Sequence, residues 1–240
     1  MDYEEFQYDV RTREQQLESS LAFPILMRKV YLWMTFALAI TGMTSYYVAS
    51  SPAILQMIYG NPAVMWGLII AEFGLVFGLS AAINKLSLVT ATLMFVIYSI
   101  INGATLSVIF LVYDMGLIAQ AFFITAGTFV AMVLYGYTTK KDLTTIGSLA
   151  LMGLIGIIIA SVVNIFIASS TVSIVTNYVA VLVFVGLTAY DTQKIKNMML
   201  LAPDAGEKMQ KIALLGALSL YLDFINLFIY ILRILGSDRK

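Results

Sequence analysis

Four charged side chains sit inside otherwise apolar stretches of this chain: Glu72, Asp191, Asp223 and Arg233. An ionised carboxylate in hydrocarbon costs several kcal/mol or more, so each acid must face protein, water or a partner. Asp223 lies deepest, in the run 218–233. At the helical angular step Ser219, Asp223, Asn226, Tyr230 and Arg233 all fall within about 40° of one line, and apolar residues cover the rest. That pattern predicts a central membrane helix with one polar seam. Asp223 is then either a structural carboxylate bonded to neighbouring hydroxyls or amides, or a titrating, ion-contacting group.

Asp191 lies in Thr188-Ala189-Tyr190-Asp191-Thr192-Gln193-Lys194. It reads either as an interfacial carboxylate or as a partner for Asp223. Two carboxylates in contact cannot both ionise cheaply and come to share a proton, which would make a pH switch. Their depths disagree, however. Asp191 is about 5 Å along a helix from Lys194, whereas Asp223 is about 18 Å from Lys211. They meet only if the last helix begins well inside the cytoplasm or the preceding one continues past Lys196. Glu72 is expected to pair with Arg233 or line a cation path, with a hydrogen-bonded structural acid as the plainer reading. Arg233 can also snorkel to a span end. In Lys140-Lys141-Asp142-Leu143-Thr144, Asp142 or Thr144 is expected to cap the following helix.

The elements that must position these residues are membrane helices. The chain is 60% apolar and 12% charged, where soluble domains run near 45–50% and 25%. Seven segments approach spanning length, at 29–49, 63–83, 88–112, 116–138, 146–168, 174–195 and 210–235. None alternates with period two, so the fold class is all-α and polytopic. Residues 1–27 form an acidic tail, 28–236 the seven-helix domain and 237–240 a short C-terminal tail. The first 27 residues lack the basic start and apolar core of a cleaved signal. Basic loops alternate with neutral ones, which predicts a cytoplasmic N-terminus and an outer C-terminus. Arg239 and Lys240 oppose that last step, and a re-entrant last segment is the alternative. Gly74 with Gly78, and Gly153 with Gly156, predict close helix packing, within the chain rather than between copies.

Composition also excludes. With no cysteine there is no disulfide or thiolate site, and with no histidine the commonest base and pH switch is missing. Proton sensing near neutrality would fall to carboxylates whose surroundings disfavour charge. Zero formal net charge argues against nucleic acid as a partner. There is no Walker motif, HExxH or serine-nucleophile motif, so neither an ATP-driven pump nor an enzyme is expected. No inverted repeat or pair of broken helices marks a secondary transporter.

The motif Ser219-Leu220-Tyr221-Leu222-Asp223-Phe224-Ile225-Asn226-Leu227-Phe228, with Leu232-Arg233 following, resembles the signature of the Bax inhibitor-1 family, its bacterial branch most closely. Tyr190-Asp191, Gln193-Lys194-Ile195 and Lys140-Lys141-Asp142-Leu143 match as well, and the likeness spans residues 28 to 236. The resemblance implies seven helices with the seventh central among the other six, and a pH-sensitive calcium leak. It implies that Asp191 pairs with Asp223 and that Glu72 and Arg233 are functional. Some bacterial members carry an arginine late in the second helix that latches the aspartate pair. Here that region reads Ala81-Ala82-Ile83-Asn84-Lys85, so the latch is absent or weakly replaced by Lys85.

The expected function is a passive, proton-gated cation leak in a bacterial plasma (inner) membrane. Asp191 and Asp223 would form the pH sensor and a weak calcium contact, supported by Ser219, Asn226 and Tyr230. No resident cofactor is expected, calcium being the permeant ion, and a monomer is favoured. The rival is a non-conducting regulator that binds a membrane-bound protease or another membrane protein through the acidic tail.

Overall fold

The computed structural model describes residues 3–237, with side chains from Leu21 onward. Most of the predicted acidic tail's side chains, and Arg239 and Lys240, lie outside the described residues. Nine helices and no strand occur among those residues. They are α1 (Tyr3–Ala49), α2 (Pro52–Tyr59), α3 (Pro62–Ala82), α4 (Leu88–Leu106), α5 (Ile109–Val112), α6 (Met115–Thr138), α7 (Thr144–Ile167), α8 (Ser170–Leu200) and α9 (Glu207–Ser237). Seven of them are long and apolar enough to cross a membrane, α5 completing the span begun by α4.

Short polar residues set the starts. Asn61, Ser87, Asp114 and Ser169 each accept a backbone N–H of the turn they precede, and Pro62 opens α3 where its missing N–H costs nothing. The predicted span 88–112 breaks after Leu106. Tyr59 of α2 enters that break, where its hydroxyl accepts from Val108 N–H (3.0 Å) and donates to the Thr105 carbonyl (2.9 Å). The first span is longer than predicted. Ala22, Leu26 and Met27 are buried, so the bundle takes in residues assigned from sequence to the tail.

α9 is the core. Buried residues make up 67% of its most apolar window, against 33% at most in any other span. It is one continuous helix from Glu207 to Ser237, which removes the re-entrant alternative. Its main contacts are with α1, α4, α6 and α8. The expectation of six surrounding helices is therefore refined, because α7 packs chiefly on α8, and α3 on α4 and α2. The outer faces of α3 and α7 carry exposed Trp66, Phe73, Phe77 and Phe166, the surface a bilayer covers.

The glycines bear out the prediction only in part. A Cβ at Gly74 would meet nothing within 4 Å, and one at Gly78 only the end of Met94, so this GxxxG makes no close helix contact. Gly153 does sit at a close crossing, since a Cβ there would strike the Val183 side chain of α8, whereas one at Gly156 would meet nothing, and the other tight crossings lie at glycines not singled out from sequence. A Cβ at Gly136 would strike the backbone of Ala189, one at Gly147 the ring of Tyr190, and one at Gly103 the backbone of Thr41. The first two bring α6 and α7 against the stretch of α8 that leads to Asp191.

Candidate functional site

α8 and α9 lie side by side, and their register decides what Asp191 meets. Ser219 donates a short hydrogen bond to Asp191, and Ile195, one turn along α8, packs over Gly216, one turn back on α9. The two helices thus run antiparallel, with Asp191 level with Ser219. Asp223 lies one turn deeper. This resolves the depth mismatch, since α8 continues past Lys196 to Leu200 and α9 starts before Lys211, at Glu207. The two carboxyls come within electrostatic range of each other. Asp223 is 5% exposed, and its Oδ2 has no hydrogen-bond partner among the described residues. Asp191 is half-buried and feels Lys194, itself exposed and lying over the Tyr190 ring.

The face of α9 turned toward α3 is the less buried one, and two cavities lie along it. The first, about 300 Å³, is lined by Asp191, Lys194, Ser219, Ser80, Val76 and Leu222 among others. The second, about 310 Å³, is lined by Glu72, Tyr98, Asn102, Asn226, Val76 and Leu222 among others. Val76 and Leu222 border both. α3 stands off α9, and the gap between them is this pair of chambers.

Glu72 and Arg233 do not pair as expected. Glu72 accepts from Thr105 Oγ1 at 2.6 Å and is also bonded by the Asn102 side chain. Arg233 is exposed, with its guanidinium 5.4 Å from the Tyr230 ring centroid. The reason is depth. Glu72 shares its cavity with Asn226 and Ile229, whereas Arg233 lies seven residues beyond Asn226, roughly 10 Å along the helix. The predicted polar seam divides accordingly: Ser219 serves Asp191, Asn226 lines the Glu72 cavity, and Tyr230 stacks on Phe184 at 5.9 Å.

Other residues do work that the charges did not advertise. Tyr221, fully buried, shares a hydrogen bond with Thr41 (2.7 Å) and donates to Asn102 Oδ1 (2.9 Å), tying α1, α9 and α4 to Glu72 on α3. Tyr98, Asn102 and Thr105 recur at three- and four-residue steps along the fourth segment, and that spacing is a legible sign of one polar helix face. At the lysine-bearing end, Gln193 accepts from Leu143 N–H (2.9 Å) and donates to the Lys141 carbonyl (2.8 Å). Lys196 donates to the Tyr137 carbonyl at 2.6 Å. Lys211 donates to the Leu86 carbonyl (2.9 Å), while Glu207 accepts from Leu88 N–H (3.0 Å). Lys85, the proposed stand-in for a latch, is exposed on the α3–α4 turn. The cation felt at Asp191 is Lys194.

No group of three or more His, Cys, Asp or Glu side chains that could hold a metal occurs among the described residues. The donors beside Asp191 are one hydroxyl and one more carboxylate, a set suited to transient contact with a hard cation and not to tight chelation.

A family model described as "Inhibitor of apoptosis-promoting Bax1" matches residues 24–240. The Escherichia coli inner membrane protein YbhL is 49% identical over 215 residues, covering 89% of this chain and 92% of that protein. A Borreliella burgdorferi protein is 45% identical over 214 residues, covering 89% and 92%. A Rickettsia prowazekii protein, RP147, is 42% identical over 215 residues, covering 89% of each.

Proposed function

The chain belongs to the Bax inhibitor-1 family of integral membrane proteins, and on that premise we propose that it is a passive, pH-sensitive cation leak of a bacterial inner membrane, with calcium as the permeant ion. The observation that carries this reading is the Asp191–Asp223 corner. Two acids from two different helices lie one turn apart in register and in electrostatic range, and Asp191 lines a cavity at the lysine-bearing end. When both are ionised they repel across the α8–α9 contact and attract cations. When one is protonated the repulsion goes and the helices settle together. The charged groups near them are few. Lys194 offsets Asp191, Lys196 is engaged with Tyr137, and Lys211 with Leu86. The protein is read as a channel and not as an enzyme, and it has no need of a resident cofactor.

Calcium flux into liposomes, measured across pH, tests this. Asparagine mimics the protonated acid. Asp191→Asn and Asp223→Asn should therefore hold, at every pH, the flux level that the unaltered protein reaches only at its acidic limit. Unchanged flux and pH profile in both variants would overturn the reading.

A second reading has one observation in its favour: α1 runs on N-terminally of its membrane span, to Tyr3. That arm is suited to a partner such as a membrane-bound protease. Deleting residues 1–20 should spare a leak and abolish partner binding.

A further inference from the structure

Glu72 lies near the middle of α3, and no basic side chain pairs with it among the described residues. Its partners there are two neutral groups, the Thr105 hydroxyl and the Asn102 side chain. Hydrogen bonds alone leave an ionised carboxylate at this depth short of compensation, and a mobile cation supplies what they do not. The aspartate pair makes no use of this residue.

Its surroundings are those of a cation site. Asn102 Oδ1 is occupied by the Tyr221 hydroxyl, which leaves the Asn102 amide N–H groups for Glu72. Asn226 donates its Nδ2 to the Leu222 carbonyl of its own helix (2.8 Å), leaving its Oδ1 as the free acceptor. Tyr98 borders the same cavity. Carboxylate, amide and phenol oxygens form an all-oxygen set suited to a hard cation. Calcium takes six to eight oxygens, so water must supply the remainder in a volume of about 310 Å³.

The approach is apolar. Val76 stands one turn beyond Glu72 on α3, and Leu222 one turn before Asn226 on α9, and these two side chains border both cavities. An ion leaving the Asp191 side must shed water between them, as at a dewetting constriction.

We propose that the Glu72 cavity is a second cation station, taking a partly hydrated calcium ion and sealed from the Asp191 cavity by Val76 and Leu222. This deepens the leak reading by naming where the ion pauses and what it crosses.

Terbium(III), a calcium surrogate excited through nearby aromatic rings, is the probe, added to the full chain in nanodiscs. Glu72→Gln keeps the residue's shape and should weaken calcium-displaceable terbium binding about tenfold or more, while Glu72→Asp restores part of it. The chain has no native cysteine, so a single Asn226→Cys reports aqueous access. An impermeant thiol reagent added from the Asp191 side should leave it unlabelled and should label it when Leu222→Ala is also present. Equal terbium binding in Glu72→Gln, or equal labelling with and without Leu222→Ala, overturns the station or its seal, whatever the aspartate variants do to flux. Glu72-dependent binding in a protein that passes no calcium would sustain the station and sink the leak.

Discussion

Asp142 sits in the turn before α7, outside the spans, and Thr144 bonds it twice, through its hydroxyl (2.6 Å) and its backbone N–H (2.9 Å). Asp142, one residue ahead of the formal cap position Leu143, thus performs the capping expected of this motif. The Thr144 hydroxyl, and then its N–H, hold the carboxyl below the usual aspartate range. A carboxylate whose folded pKa is depressed contributes stability above its unfolded pKa and loses it as pH falls through the folded value. Asp142 should therefore be more ionised than an ordinary aspartate at the pH where the latter is half protonated. Thr144→Ala should move its titration upward but not fully to the ordinary value, because the backbone N–H remains. Carboxyl chemical shifts followed by NMR across pH read this directly, and identical curves with and without the hydroxyl would refute it. Within the spans the residue-scale lesson is different. Asp191 and Glu72 are both acids in apolar helices, yet Ser219 and Lys194 attend one while only neutral partners attend the other.

Glu207 and Lys211 stand one turn apart on α9 and grip the α3–α4 turn at two points, Leu88 N–H and the Leu86 carbonyl. This clamp holds the end of α3 to the start of α9, although the two helices separate around the cavities further along. Glu207→Ala with Lys211→Ala should raise amide exchange in residues 83–90 by about three- to tenfold, the consequence of losing hydrogen bonds worth roughly 1 kcal/mol. Exchange confined to its original rate would show that Ser87, capping α4, suffices for the turn. The glycines act at the same scale. Gly136 and Gly147 let α6 and α7 press on α8 around Ala189 and Tyr190, which fixes the stretch of helix that presents Asp191.

The turns carrying Lys85, Lys140 and Lys141, and Lys208 at the start of α9, all gather at one end of the seven candidate spans. That end should be cytoplasmic together with the N-terminus, since positively charged loops resist translocation. Single cysteines at Ser87 and Ser169, probed with impermeant reagents on intact and permeabilised cells, should react from opposite sides. Labelling of Ser87→Cys on intact cells, with Ser169→Cys reacting only after permeabilisation, would invert the topology. Much of this was legible in the chain. Composition and apolar run lengths determined a polytopic helical protein, because a bilayer demands about twenty apolar residues per span and satisfied backbone bonds within each. The polar seam marked α9 as central, because five polar side chains on one line of an otherwise apolar helix need protein or a cavity along its length. Two matters were decided only by tertiary structure. The antiparallel register of α8 and α9 set Ser219 opposite Asp191 and placed Asp223 a turn deeper, and register depends on side chains of both helices at once. The gap between α3 and α9 gave Glu72 to Asn102 and Thr105 and left Arg233 a turn or more too far along, because depth across a bundle is a relation between helices that no single segment encodes.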